Sequence, residues 1–169
     1  MTITELAPAK LNLTLDVGAR RPDGYHEITS VMQSAALYDV VTIEVSKNNG
    51  IVVESPGTDL PTGPDNLAWK AADVFFQDTN IHRTGIFIRL EKKIPSQAGL
   101  GGGSSDAAAV LRGMRRLFGA NVSDEALETM AARVGSDVPY CVRGGTALAR
   151  GRGERLTALS PLPMCWFVI

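Results

Sequence analysis

Pro95-Ser96-Gln97-Ala98-Gly99-Leu100-Gly101-Gly102-Gly103-Ser104-Ser105-Asp106 decides how the rest of the chain is read. Four of the five residues from Gly99 to Gly103 are glycine, so backbone can approach a bulky ligand with no Cβ in the way. Two hydroxyls follow, and then Ala107, Val110, Leu111, Met114, Leu117 and Phe118 recur at three- and four-residue spacing, one face of a helix. A glycine loop opening a helix is an anion site, because free N–H groups and the positive end of the helix dipole point at one spot. Phosphate is the first ligand to consider, against the plain alternative of a glycine-rich turn before a helix. Two other phosphate motifs fit badly. The Walker pattern needs Gly-Lys-Ser/Thr, and no lysine lies between Lys93 and the end of this helix; the dinucleotide fingerprint needs glycine where Ser104 stands.

Pro-x-x-Ala-Gly-Leu-Gly-Gly-Gly-Ser-Ser resembles the phosphate loop of the GHMP kinases, the superfamily of galactokinase, homoserine kinase and mevalonate kinase. The resemblance implies that Pro95, Ser96, Gln97, Ala98, Gly99, Leu100, Gly101, Gly102, Gly103, Ser104 and Ser105 wrap the phosphates of ATP. It also implies that a serine hydroxyl, assigned to Ser105, meets Mg2+. Gln97 stands where many members carry a small residue.

The chain has 169 residues, 44% hydrophobic and 21% charged, enough for one sizeable core. Seventeen basic against 18 acidic residues give a net charge of -1, which offers no footprint for nucleic acid, so phosphate binding must come from local groups. Cys141 and Cys165 form no Cys-x-x-Cys pair and read as reduced thiols. The N-terminus has no basic region followed by an apolar core, and no apolar run reaches membrane-spanning length. A cytoplasmic protein without membrane partners, monomeric or weakly dimeric, is expected.

From about Ile3 to Val17 the chain alternates as a strand, with Leu11, Leu13, Leu15 and Val17 on one face and Lys10, Asn12 and Thr14 on the other. Pro8 marks a kink or an edge. Arg21-Pro22-Asp23-Gly24-Tyr25-His26 is a turn presenting Tyr25 and His26. Val40–Val45 and Ile51–Glu54 read as a hairpin closed through Asn48-Asn49-Gly50. Asp65-Asn66 caps a helix running to about Gln77, and residues from about Thr84 to Glu91 form a strand ending at Lys92-Lys93. Ser123 opens a further helix that Gly135 ends. Ser136-Asp137-Val138-Pro139 then reads as a turn, and Gly144–Ala149 begins the closing strands. Helices and strands in mixed order argue an α+β fold.

The motifs Pro8-Ala9-Lys10-Leu11-Asn12-Leu13, Arg21-x-Asp23-Gly24-Tyr25-His26 and Gly135-x-Asp137-Val138-Pro139 extend the resemblance over the whole chain. Within the GHMP kinases they are similar to the branch acting on 4-diphosphocytidyl-2-C-methyl-D-erythritol. The implied fold is the GHMP N-terminal domain, related to the second domain of ribosomal protein S5. The implied reaction is ATP-dependent phosphorylation of the substrate's 2-hydroxyl, in the non-mevalonate route to isoprenoid precursors. Lys10 and Asp137 become the catalytic pair, Asn12, Tyr25 and His26 the substrate-binding residues, and Asn66, Leu67 and Lys92 further contacts to ATP. A kinase with another alcohol substrate, or a module that binds nucleotide or RNA without catalysis, stays open beside this.

The apolar end Met164-Cys165-Trp166-Phe167-Val168-Ile169 reads as a core strand. It is expected to start a second domain, giving residues 1–159 as the ATP-binding domain and 160–169 as the lead into a C-terminal domain otherwise missing. Such a piece is expected to fold and bind nucleotide but to turn over poorly.

Overall fold

Two very long strands, β1 (Thr2–Arg20) and β2 (His26–Ser46), form the spine of the molecule. They run antiparallel and are joined through the turn at Pro22–Gly24, where Gly24 adopts φ 85° and the Asp23 carboxylate accepts the N–H of Tyr25. The structure, a computed structural model, describes residues 1–168. β3 (Ile51–Glu54), α1 (Leu67–Asp78), β4 (Gly85–Glu91), α2 (Gly102–Leu117), α3 (Asp124–Val134), α4 (Val138–Arg143), β5 (Thr146–Gly151) and β6 (Arg155–Ala158) complete the elements described.

β2 is long enough to serve two partners along one edge: β4 pairs with Val40–Ser46 and β5 with Ile28–Gln33, while β1 covers the other edge. The sheet order is β3-β4-β2-β5-β6, with β1 on β2. β1 is thus an edge strand, and its register shifts at Pro8/Ala9, where proline removes a ladder donor. Alternate residues Val41, Ile43, Ile86, Ile88 and Leu90 are buried in one core with the inward faces of the helices, while Glu44, Arg89 and Glu91 are exposed. This is an α+β domain with helices packed on a sheet. α2 crosses β2 so closely that a Cβ on Gly113 would come within 2.5 Å of Ile43 Cδ1. Phe75 and Phe76 of α1 meet Phe118 at ring separations of 6.4 and 5.8 Å, which pins the end of α2 to α1.

Several sequence expectations need correction. Ile51–Glu54 does not form a hairpin with Val40–Val45; β4 inserts between them and β3 pairs parallel to it. Turn residues at Asn48–Gly50 make a reversal possible but do not choose the neighbour; apolar pairing of Ile86 and Ile88 with Val45 and Ile43 of β2 on one edge and with Ile51 and Val53 of β3 on the other does. The α2 helix begins at Gly102, ahead of the apolar repeat, so Ser104 and Ser105 lie in its first turn. Residues after Asp137 are helical, not a simple turn, with Pro139 tolerated in the first turn of α4. Met164–Val168 form no strand: Met164, Trp166 and Val168 are almost wholly exposed, although the segment lines a cleft together with Gln33–Leu37 of β2. Ile169 lies outside the described residues.

Candidate active site

The glycine loop is held to the N-terminal strand at three places. The Lys10 N–H donates to Leu100 O at 2.9 Å, the Ser105 hydroxyl donates to Pro8 O at 2.7 Å, and Leu100 packs in a small cluster with Ala9 and Ile94. Gly101 caps α2 in the left-handed region, φ 69° and ψ 22°, and a Cβ there would lie 2.7 Å from Lys10 Cγ. Glycine here therefore answers two demands, the backbone conformation and the passage of the Lys10 stem. Gln97 holds φ 59°, a costly conformation for a residue with a side chain, and one that collects at functional loops. The N–H groups of Gly102, Gly103 and Ser104 begin the helix and have no acceptor within it, so they face the loop as anion donors.

A cleft of about 440 Å³ runs along this loop. It is lined by the loop from Pro95 to Ser104, by the apolar Leu60 and Leu67, and by Lys10, Lys92 and Asp137. Asp137 sits at the N-terminus of α4 without capping it, and its carboxylate lies 3.3 Å from the Lys10 ammonium. The same ammonium donates to Asn12 Oδ1 at 2.6 Å; Asn12 donates to the Ser30 hydroxyl, which donates to Thr14 O. A buried cation is thus fixed by a chain of satisfied polar groups, and the carboxylate it faces keeps access to the cleft.

Lys92, expected as a contact to ATP, reaches the cleft but is already engaged. Its ammonium pairs with Asp39 and with Asp106 at 2.5 Å, both carboxylates buried. Asp39 also accepts the N–H groups of Lys93 and Ile94. This cluster joins the strand before the loop to the helix after it. Burial, resisted by the Lys92 charge, pushes the Asp106 carboxyl up to about 7, and its Oδ1 has no partner. Neither acid was singled out from the sequence. Asp106 carried a signal, since it stands three and four residues before Ala109 and Val110 on an otherwise apolar helix face; Asp39, inside an ordinary strand, carried none.

The structure brings together Lys10, Asn12, Asp137, Leu67, Lys92 and the loop, and separates others from them. Ser105 is fully buried with its hydroxyl committed to Pro8, so its side chain does not face the cleft; Ser104 does. Asn66 uses its carbonyl to cap α1 through Ala68 N and its amide to reach Pro61 O, and is a structural cap. Tyr25 and His26 stand at the hairpin tip, both exposed. Among the described residues no group of three His, Cys, Asp or Glu side chains could hold a metal ion.

The description "GHMP kinases N terminal domain" matches residues 66–145. The chain carries a GHMP kinase N-terminal domain. The chain is 50% identical over 165 residues to the 4-diphosphocytidyl-2-C-methyl-D-erythritol kinase of Heliobacterium modesticaldum, covering 97% of this chain and 52% of the relative. It is 46% identical over 169 residues to the enzyme of the same name from Enterococcus faecalis, covering 100% of this chain and 59% of the relative. The crystal structure of a 4-(cytidine 5'-diphospho)-2C-methyl-D-erythritol kinase superposes at a TM-score of 0.78 with 42% identity, over 95% of this chain and 56% of the other. A homoserine kinase from Cytophaga hutchinsonii, 23% identical at a TM-score of 0.74 over 96% of this chain and 52% of that one, shares the fold. The chain spans a little over half the length of the relatives it matches.

Proposed function

We propose that this domain binds ATP and, in the full-length protein, phosphorylates the 2-hydroxyl of 4-diphosphocytidyl-2-C-methyl-D-erythritol, giving the 2-phosphate and ADP on the way to isoprenoid precursors. The observation that carries the reading is the Lys10–Asp137 pair at the wall of a cleft lined by the glycine loop. The names of relatives at 42–50% identity supply the substrate. In this reading residues 1–159 are the nucleotide-binding domain and 160–169 lead into a second one.

Phosphoryl transfer asks for positioning and charge neutralisation more than for covalent help. The N–H groups at the start of α2 receive the phosphates, and Leu60 and Leu67 offer apolar surface to the rest of the nucleotide. Asp137 accepts the proton of the substrate hydroxyl as its oxygen attacks the γ-phosphorus and ADP departs. Lys10 keeps that carboxylate ionised and stabilises charge on the transferring group. Magnesium fits as an ion carried by the triphosphate, with Ser104 as the hydroxyl able to reach it, and would neutralise phosphate charge. Tyr25 and His26 hold the cytosine, by ring stacking and by hydrogen bonds to its polar edge. The protein in this reading is cytoplasmic, monomeric or weakly dimeric, and acts without nucleic acid or membrane. No described helix is long and apolar enough to cross one.

The test is an ADP-release assay on the full-length protein with a panel of alcohols, among them the cytidine substrate, homoserine, mevalonate and galactose. Turnover on the cytidine substrate alone supports the reading; preference for another member of the panel overturns it.

A further inference from the structure

Arg152 has a guanidinium that forms no hydrogen bond and no ion pair among the described residues. It lies over the ring of Tyr25, 4.8 Å from its centroid. Its neighbours in this corner behave otherwise: Arg21 and Arg155 both donate to Glu27, which also accepts the N–H of Gly151. The backbone that carries Arg152 is tightly specified. Gly151 and Gly153 flank it at φ 76° and 116°, and the Arg152 N–H donates to Glu154 at 2.6 Å. The far side of the same turn touches the catalytic candidate, since a Cβ on Gly153 would come within 3.7 Å of Asp137 Oδ1. One turn therefore borders both Tyr25 and Asp137.

We infer that Arg152 is a further substrate-binding residue, whose guanidinium receives the diphosphate of a nucleoside-diphosphate-linked alcohol. The inference rests on the reading above, that Tyr25 holds the base and Asp137 faces the reacting hydroxyl. A ligand joining those two ends carries its two phosphates between them, past the turn that bears Arg152. The cation–π contact with the phenol ring, 4.8 Å from its centroid, holds the guanidinium and leaves its N–H edges free to donate. Those edges match phosphate oxygens in a two-pronged arrangement that a lysine would meet only as a point charge.

The experiment uses the full-length protein with Arg152→Ala and Arg152→Lys, and titrates CDP and cytidine by calorimetry beside steady-state kinetics. Arg152→Ala is expected to weaken CDP about tenfold or more, as for loss of a charged hydrogen bond, with cytidine affected far less. The KM for the cytidine substrate rises in parallel, the KM for ATP holds, and Arg152→Lys recovers part of the loss. Unchanged CDP affinity in Arg152→Ala overturns the inference. An equal loss for CDP and cytidine also overturns it, because Arg152 would then only prop the ring. If the unsubstituted protein binds neither CDP nor the cytidine substrate, the functional reading fails first and the inference falls with it.

Discussion

The ammonium of Lys10 and the carboxylate of Asp137 come from opposite ends of the chain and meet at 3.3 Å, with the lysine buried and the aspartate about one-third exposed. The asymmetry suits a cation that holds a charge in place and a carboxylate that must reach a substrate. Asp137→Asn in the full-length protein is expected to lower turnover by about a hundredfold or more while leaving the KM for both substrates within a few-fold. Lys10→Met should lose turnover comparably. Steady-state kinetics check both, and near-normal turnover in Asp137→Asn would remove it from the chemistry.

Gly101 should be intolerant of any side chain. Its φ of 69° and the 2.7 Å approach of a Cβ to Lys10 act together, so Gly101→Ala strains the backbone and displaces the lysine stem. Strain of this kind costs about 1–2 kcal/mol. Urea unfolding should show that loss, and calorimetry with an ATP analogue should show weakened binding from the displaced loop. Wild-type affinity in Gly101→Ala would place the nucleotide elsewhere.

Lys92 neutralises two buried carboxylates that pair with no other cation among the described residues. Lys92→Met keeps the stem and removes the charge, and should destabilise the domain by about 3–5 kcal/mol, as for other broken buried pairs. Chemical denaturation at neutral pH measures this. A change below about 1 kcal/mol would mean that water reaches the two acids freely.

Asp106 gives a pH dependence whose sign can be worked out. Its carboxyl is raised from 3.8 to about 7 in the folded protein, so between those values the folded state holds a proton that the unfolded state has lost. Its contribution to stability therefore falls as pH rises from about 4 towards 7, by about 1.4 kcal/mol for each pKa unit separating the two states. The difference in stability between wild type and Asp106→Asn should shift in the variant's favour across that range. A pH-independent difference would show that Asp106 stays ionised throughout.

The two thiols should differ sharply in reactivity. Cys141 is buried, and burial pushes its thiol up to about 12, whereas Cys165 is exposed. A thiol-disulfide reagent at pH 8 should modify one cysteine quickly in the native protein and the second only on unfolding, since the thiolate is the attacking species. Cys165→Ser should abolish the fast phase.

Much of this domain was legible in the sequence because its signals are local. The glycine run followed by an apolar helical face set both the loop and α2, since positive φ and free helix N–H groups depend only on neighbouring residues. The turn at Asp23-Gly24 and the cap at Asn66 were readable for the same reason. Tertiary structure alone decided the rest. It put β4 between β2 and β3, because strand order follows from which apolar faces can be covered together and not from the turn residues between them. It turned Ser105 inward to Pro8 and left Ser104 facing the cleft, a matter of helical phase that two adjacent serines do not reveal. It gave Lys92 two buried acids from β2 and α2, 53 and 14 residues away. And it set Arg152 on Tyr25, a contact across more than a hundred residues, formed because the β5–β6 turn closes against the tip of the first hairpin.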